Sequence, residues 1–245
     1  MRPMTFPPSG RGPARSAFER ASPGPCTATP RWDVVPRGAA FTLVELLVVI
    51  AIIGILAALL LPALGRSKER AKVVRVHGEL QNVGLALEMY SADNDGRFPP
   101  VRVNCNSDLA SQWCEFPVEL AREGYLPRSD RPGMAACMED IFNPGHTYKY
   151  AAPGPCLLNG SDGGSYQLWT PENPPECSSE SGKYVSDPLQ APLRWVVWSL
   201  GPRPNSTQSQ DTRAPLAARS WYRRTGDGGV IGRFALKDGT QYKTP

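Results

Sequence analysis

Phe41-Thr42-Leu43-Val44-Glu45-Leu46 opens an apolar run that continues through Leu47-Val48-Val49-Ile50-Ala51-Ile52-Ile53-Gly54-Ile55-Leu56-Ala57-Ala58-Leu59-Leu60 to Leu61. About 20 apolar residues are enough for a helix to cross a bilayer. One charge, Glu45, interrupts this run near its start. A carboxylate in hydrocarbon costs roughly 2.5–3.5 kcal/mol even on insertion scales, so it needs a partner or a purpose. A plain anchor tolerates an acid close enough to a helix end to reach interfacial water. A helix that must pack against copies of itself has a more specific use for it. There a free ammonium at one residue and a carboxylate at another neutralise each other between chains, and removing one partner of such a buried pair costs several kcal/mol.

The residues around the acid carry a resemblance. Phe41-Thr42-Leu43-Val44-Glu45-Leu46, preceded by the small residue Ala40 and followed by an unbroken apolar helix, resembles the N-terminal segment of type IV pilins and type II secretion pseudopilins. The resemblance implies that prepilin peptidase cuts the Ala40–Phe41 bond and that Phe41 becomes the methylated N-terminus. It implies that Glu45 pairs with a neighbouring subunit's terminal amine and that Pro62 marks a helix kink. The implied partners are the peptidase, other pilin-like subunits in a helical filament, an inner-membrane assembly platform and membrane lipid. The implied location is the inner membrane, single-pass, with the C-terminal head exported. This chain departs from the usual pattern in carrying Ala40 where the family has Gly. Cutting instead after Gly38 would put Glu45 seventh rather than fifth and break the register.

Residues 1–40 read as a basic leader to be removed, with eight prolines, no sustained periodicity, and six arginines against Glu19 and Asp33. Its charge suits the cytoplasmic side of a span. The whole chain has 27 Lys and Arg against 23 Asp and Glu, and taking away those six and two leaves 21 of each. The basic balance therefore belongs to the leader and does not argue for nucleic acid as a partner.

Beyond the apolar run (41–64), residues 65–92 read as an amphipathic continuation of the same helix. Val73, Val76, Leu80, Val83, Leu87 and Tyr90 alternate spacings of three and four, which places them on one face. Lys68, Glu69, Lys72, Arg75, Glu79 and Asn82 are expected on the opposite surface. From Phe41 to Ala92 such a helix is about 75–80 Å long, bent at Pro62, whose ring removes a backbone donor and crowds the preceding turn. Asp93-Asn94-Asp95-Gly96 then stops it, with Gly96 suited to a left-handed cap and Pro99-Pro100 blocking re-entry.

Residues 93–245 read as a loop-rich α+β head, with a short helix in 117–126, strands at Tyr148-Lys149-Tyr150, Arg194–Leu200 and Val230–Leu236, and Trp221-Tyr222 as the start of a further strand. The fold class expected is α+β and pilin-like: a long helix, half for the membrane and half amphipathic, on a small antiparallel sheet. The Gly-, Pro-, Ser- and Asn-rich segment 151–192 reads as a long surface excursion.

Cys105, Cys114, Cys137, Cys156 and Cys177 follow the apolar run and Cys26 precedes it. Four of them can pair in three ways. The local pairing expected is Cys105–Cys114 and Cys156–Cys177 with Cys137 unpaired, and burial as free thiols is the alternative. No Cys-x-x-Cys, Gly-x-Ser-x-Gly or His-Glu-x-x-His is present, and Gly226-Asp227-Gly228-Gly229 lacks the Lys-Ser/Thr ending of a phosphate loop. The chain is expected not to be an enzyme. His146 reads as a surface residue, and Trp195 and Trp198 as core. Ser199-Leu200-Gly201 and the loop after it resemble the C-terminal region of the major pseudopilin, where calcium binds. Asp211 and Asp227 are the candidates for such a site here, against a plain turn, since calcium favours several hard oxygen ligands. A separate functional class remains in view: an exported binding module for which the apolar run is only a tether.

Overall fold

The computed structural model describes residues 41–105, 113–130, 138–178, 180–205 and 211–245. The chain divides into two compact units, Met1–Ile50 and Ala51–Pro245. The helix α1 spans Leu43–Asp93 as one element, with Pro62 inside it rather than at a break. It ends as the sequence dictates. Asp95 and Gly96 take left-handed backbone angles (φ 53° and 79°), and the Gly96 N–H returns to the Ser91 carbonyl at 2.8 Å.

All six residues of the apolar stripe, Val73 to Tyr90, are buried. Two of the six charges and amides expected opposite them are not solvated, however. Glu69 and Glu79 lie at the stripe's edges, mostly buried, and accept hydrogen bonds from head residues. A boundary position on a helix faces the core or water according to what the rest of the chain brings to it.

The head follows in the order β1 (Val101–Val103), α2 (Glu119–Arg122), β2 (Lys149–Ala151), β3 (Gly154–Leu158), β4 (Ser161–Tyr166), β5 (Leu168–Pro171), β6 (Gly182–Val185), β7 (Leu193–Ser199), β8 (Ile231–Leu236) and β9 (Gln241–Lys243). Its main sheet is antiparallel in the order β2-β7-β8-β9. The strand β7 is internal to the sheet and pairs with β2 on one side and β8 on the other. Its run Trp195-Val196-Val197-Trp198 is buried, as branched and aromatic residues favour on a pleated surface covered on both sides. Trp195, Tyr148, Tyr150 and Phe234 are among the largest fully buried side chains. The architecture is α+β and pilin-like: one long apolar helix and small sheets, antiparallel except for the parallel β1–β3 pair.

Three expectations change. Trp221 does not begin a sheet strand and makes only an isolated bridge to Val230. The segment 151–192 is not a bare excursion. It folds into the hairpin β3–β4, joined to β1, and the hairpin β5–β6, whose strand Leu168-Trp169-Thr170-Pro171 is buried throughout. Trp169 is thereby a core residue. Gly182 permits this packing, because a Cβ there would sit 2.7 Å from the Trp169 ring.

The local disulfides are also absent: Cys105, Cys114, Cys156 and Cys177 are free thiols. Cys114, Cys156 and Cys177 are buried, and burial pushes their thiols up, to about 11 for Cys177. The Cys114 thiol donates to the Tyr166 hydroxyl at 3.2 Å, while exposed Cys105 is held through its backbone N–H by Asn159 Oδ1. The three buried ones are small fillers, the behaviour of unpaired cysteine in a core. Cys137 lies outside the described residues.

Candidate assembly site on the long helix

The first turn of α1 is a capping box. Thr42 precedes the helix, and its carbonyl accepts the first intrahelical bond from Leu46 N–H at 3.2 Å. Its hydroxyl accepts the Glu45 N–H at 3.2 Å, and Glu45 Oε2 accepts both the Thr42 N–H and the Thr42 hydroxyl at 2.8 Å. Two orphan donors of the helix start are satisfied reciprocally, as Thr-x-x-Glu allows. This capping signal stands in the sequence as Thr42-x-x-Glu45, beside the intermolecular role that the resemblance implies for Glu45. The cap holds the carboxylate in one rotamer through Oε2. Glu45 Oε1 takes no hydrogen bond among the described residues. Phe41, 76 % exposed, lies one residue before the cap, while Ala40 and the leader lie outside the described residues.

From Leu46 to Leu61 every large aliphatic side chain is exposed, by 45 % to 70 %. The helix is long and apolar enough to cross a membrane. The arrangement therefore offers one pre-set acceptor oxygen beside an apolar surface that is left exposed among the described residues. That can bind a cation carried on a similarly apolar partner.

Further along, α1 is bolted to the head by charge and by shape. Glu88 accepts from Arg194 Nη1 at 2.6 Å and from Trp195 Nε1 at 2.8 Å. Glu79 accepts from the Tyr148 hydroxyl and pairs with Arg75 at 2.6 Å. Burial, with the Glu79 carboxylate beside it, pushes the Tyr148 hydroxyl far above its ordinary value. Between these carboxylates the Trp195 ring lies against Gly84, where a Cβ would come within 2.7 Å of Cη2. Deeper in the head, buried Asp140 accepts from Ser199 Oγ at 2.7 Å and from Asn143 Nδ2 at 2.7 Å; burial raises its carboxyl despite those donors.

Each of the two calcium candidates is engaged by arginine. Asp211 takes Arg213 at 3.0 Å and Arg219 at 3.3 Å. Burial pushes its carboxyl up, but these guanidiniums outweigh it and the net shift is down. Asp227 pairs with Arg224 at 3.2 Å. No hydrogen bond joins the two acids, and no group of three or more His, Cys, Asp or Glu that could hold a metal occurs among the described residues.

Comparison with known proteins follows the same residues. The prokaryotic N-terminal methylation motif matches residues 36–61, which span Ala40, Phe41 and Glu45. The type II secretion system core protein G of Pseudomonas aeruginosa is 43 % identical over 115 residues, covering 46 % of this chain and 73 % of that protein. The protein of the same name from Aeromonas hydrophila is 43 % identical over 120 residues, covering 48 % of this chain and 76 % of the relative. The type IV major pilin protein PilA of Myxococcus xanthus is 32 % identical over 126 residues, 51 % of each chain. No solved structure matches. With its methylation motif at the head of an exposed apolar helix and most of two core G proteins covered, this chain belongs to the type IV pilin and type II secretion pseudopilin family.

Proposed function

We propose that this chain is a pseudopilin of a type II secretion system, a non-enzymatic filament subunit that acts in protein export. It is made as a single-pass inner-membrane precursor with its head exported. Prepilin peptidase cuts after Ala40 and Phe41 becomes the methylated N-terminus. The apolar helix then passes from lipid to a bundle of neighbouring helices, engaged through the assembly platform. One observation carries this reading: the Glu45 carboxylate is held by Thr42 through Oε2, with Oε1 left open among the described residues, at the start of an exposed apolar helix. An open oxygen on an otherwise uncharged surface accepts the ammonium of a neighbour's Phe41, and the repeated head-to-tail contact builds an open filament. The unpaired acid would be costly in that bundle, so the pairing sets axial register.

N-terminal mass spectrometry of the membrane-associated protein tests the processing step. A chain beginning at methyl-Phe41 is expected, whereas an uncut chain, or one beginning beyond Ala63, favours a tether or an export signal. The assembly step is tested by Glu45→Ala, which should insert normally and fail to enter filaments. Incorporation at the wild-type level removes the carboxylate's role. The likeness to PilA supports a type IV pilus as the second setting. Loss of secretion without loss of surface pili on deletion would assign the secretion system.

A further inference from the structure

Just beyond the apolar stretch, two distant parts of the chain bring arginines together. Arg66, Glu69 and Arg70 come from α1, Arg203 from the loop after β7, and Arg224, Thr225 and Gly226 from the turn before β8; with Pro62 and Gly65 they line an open cavity of about 530 Å3. Its frame is Glu69, which accepts Gly226 N–H at 3.0 Å, the Tyr222 hydroxyl at 3.2 Å and Arg203 Nη2 at 3.3 Å. Those contacts use up the carboxylate. The Gly226 N–H, with Arg203 and Tyr222, holds Glu69 below its ordinary value although burial opposes this, so it stays ionised and in place.

The guanidiniums are not used up. Arg70 spends only Nε, on Thr225 Oγ1 at 3.2 Å. Arg203 also donates to the Asp227 carbonyl, and Arg224 pairs with the Asp227 side chain. Arg66 makes no hydrogen bond or ion pair among the described residues. Four arginines thus face one lining carboxylate and a second acid at the edge. An arginine cluster here also runs against the usual charge bias, because it flanks the span on the side opposite the arginine-rich leader.

We propose that this cradle binds the phosphodiester headgroup of an anionic phospholipid, on the exported face of the membrane that holds the anchor. The inference rests on the membrane-anchored subunit proposed above and names a lipid for it. Position argues for it first. Leu59, Leu60, Leu61 and Leu64 are exposed, and Arg66 and Arg70 follow Leu64, the last of them, by about 3–9 Å of helix rise. The headgroup layer begins where the hydrocarbon ends and is about 5–8 Å thick on each face. Chemistry argues for it second. A planar guanidinium meets two phosphate oxygens at once, and several around one cavity give a fixed multidentate seat. The surplus of positive charge selects an anionic headgroup over a zwitterionic one. Binding there would hold the head upright on the bilayer until the subunit leaves it, after which the arginines are free to meet a neighbour.

The test uses the full chain in nanodiscs of mixed phosphatidylglycerol and phosphatidylcholine, released into native mass spectrometry to count retained lipids. The wild type should keep phosphatidylglycerol preferentially. Arg66→Gln, which breaks no bond in the fold, should lower that preference about five-fold, and Arg66→Gln with Arg70→Gln about 25-fold. Lys183→Gln, the same charge loss on β6, should change nothing. Equal retention of both lipids, an unchanged preference in Arg66→Gln, or an equal loss in Lys183→Gln overturns the proposal. Displacement of the lipid by inorganic phosphate at matched concentration also overturns it, making this a free-phosphate site. A double variant that keeps its lipid preference and fails only in filaments reassigns the cradle to a neighbour's carboxylate. Failure of the wild type to enter the discs sinks the membrane reading as well; entry without a preference sinks the cradle alone.

Discussion

Two stretches of the same helix, Leu46–Leu61 and Val73–Tyr90, are both rich in branched aliphatics and end up in opposite surroundings. In the second, Val76, Leu80, Val83 and Leu87 are wholly buried beneath the head. In the first, every large side chain is exposed. Apolar burial is worth roughly 25 cal/mol per Å2, so the second stretch stabilises the head and the first contributes nothing to it. Under the proposed function its burial is deferred to a bilayer or to other subunits. The chain is a folded head joined to an unsatisfied surface, and Glu45, the carboxylate at the start of that surface, is a feature that can distinguish one partner from another.

The largest expected effect sets the two stretches directly against each other. Leu87→Ala should destabilise the head by about 2–5 kcal/mol, through lost transfer energy and the cavity left behind. Ile53→Ala should leave the same transition within about 0.5 kcal/mol. Denaturant unfolding of the full chain in detergent, followed by tryptophan fluorescence, reads both. Similar losses from the two variants would break the comparison.

A smaller effect tests how closely the second stretch is fitted. Gly84→Ala adds a methyl that meets the buried Trp195 ring at 2.7 Å. In a free helix the change would stabilise by roughly 1 kcal/mol. Here overpacking should reverse the sign and cost about 1–3 kcal/mol. Stabilisation of the head by this variant would mean that the ring yields and that the helix seat is loose.

What the sequence made legible follows from the range of the interactions involved. The stripe from Val73 to Tyr90 and the stop at Asp93–Gly96 could be read because spacing and a glycine decide them locally. The strands β7 and β8 declared themselves through runs of branched and aromatic residues. The hairpins between 151 and 185 were hidden by their own composition: glycines and prolines that look like loop permit the close approach of β6 to Trp169. The inward turn of Glu69, Glu79 and Glu88 was equally hidden. Their partners Gly226, Tyr148 and Arg194 lie 157, 69 and 106 residues away, and no local pattern reports such a pairing. At the candidate site the acid was found and its cap was not, although Thr42 and Glu45 stand at the required spacing. The hydrophobic run pointed the charge outward, to a neighbour's ammonium, and away from its local partner Thr42.

That cap gives a local prediction. Thr42→Ala should cost about 1 kcal/mol, confined to the helix start, because the Glu45 N–H loses its acceptor and the carboxylate loses its hydroxyl donor. Amide exchange in the first turn should quicken while the head's protection and unfolding midpoint stay as in the wild type. Combined with the filament assay, this separates the two uses of the acid. Thr42→Ala keeps the charge and frees the rotamer, so it should assemble more slowly than the wild type, whereas Glu45→Ala should not assemble.

The smallest effect concerns His77, on the packed half of α1. Burial pushes its imidazole below the ordinary value, and the charges of Lys243 and Arg233 act in the same direction against a backbone hydrogen bond with Pro245. Its Nδ1 has no hydrogen-bond partner among the described residues. A depressed folded value means that the unfolded chain binds the proton more readily. Stability is then present above the unfolded value of 6.5 and is lost as pH falls from there through the folded value. The wild-type head should therefore melt lower at about pH 5 than at about pH 7.5, and His77→Gln should lose part of that difference while other titrating groups keep the rest. If the variant keeps the whole difference, the imidazole is solvated and this part of the seat is open to water. If the difference shrinks, the contrast between the two stretches of α1 extends to proton binding: the packed one resists a new charge, while the exposed one carries its charge by design of the cap.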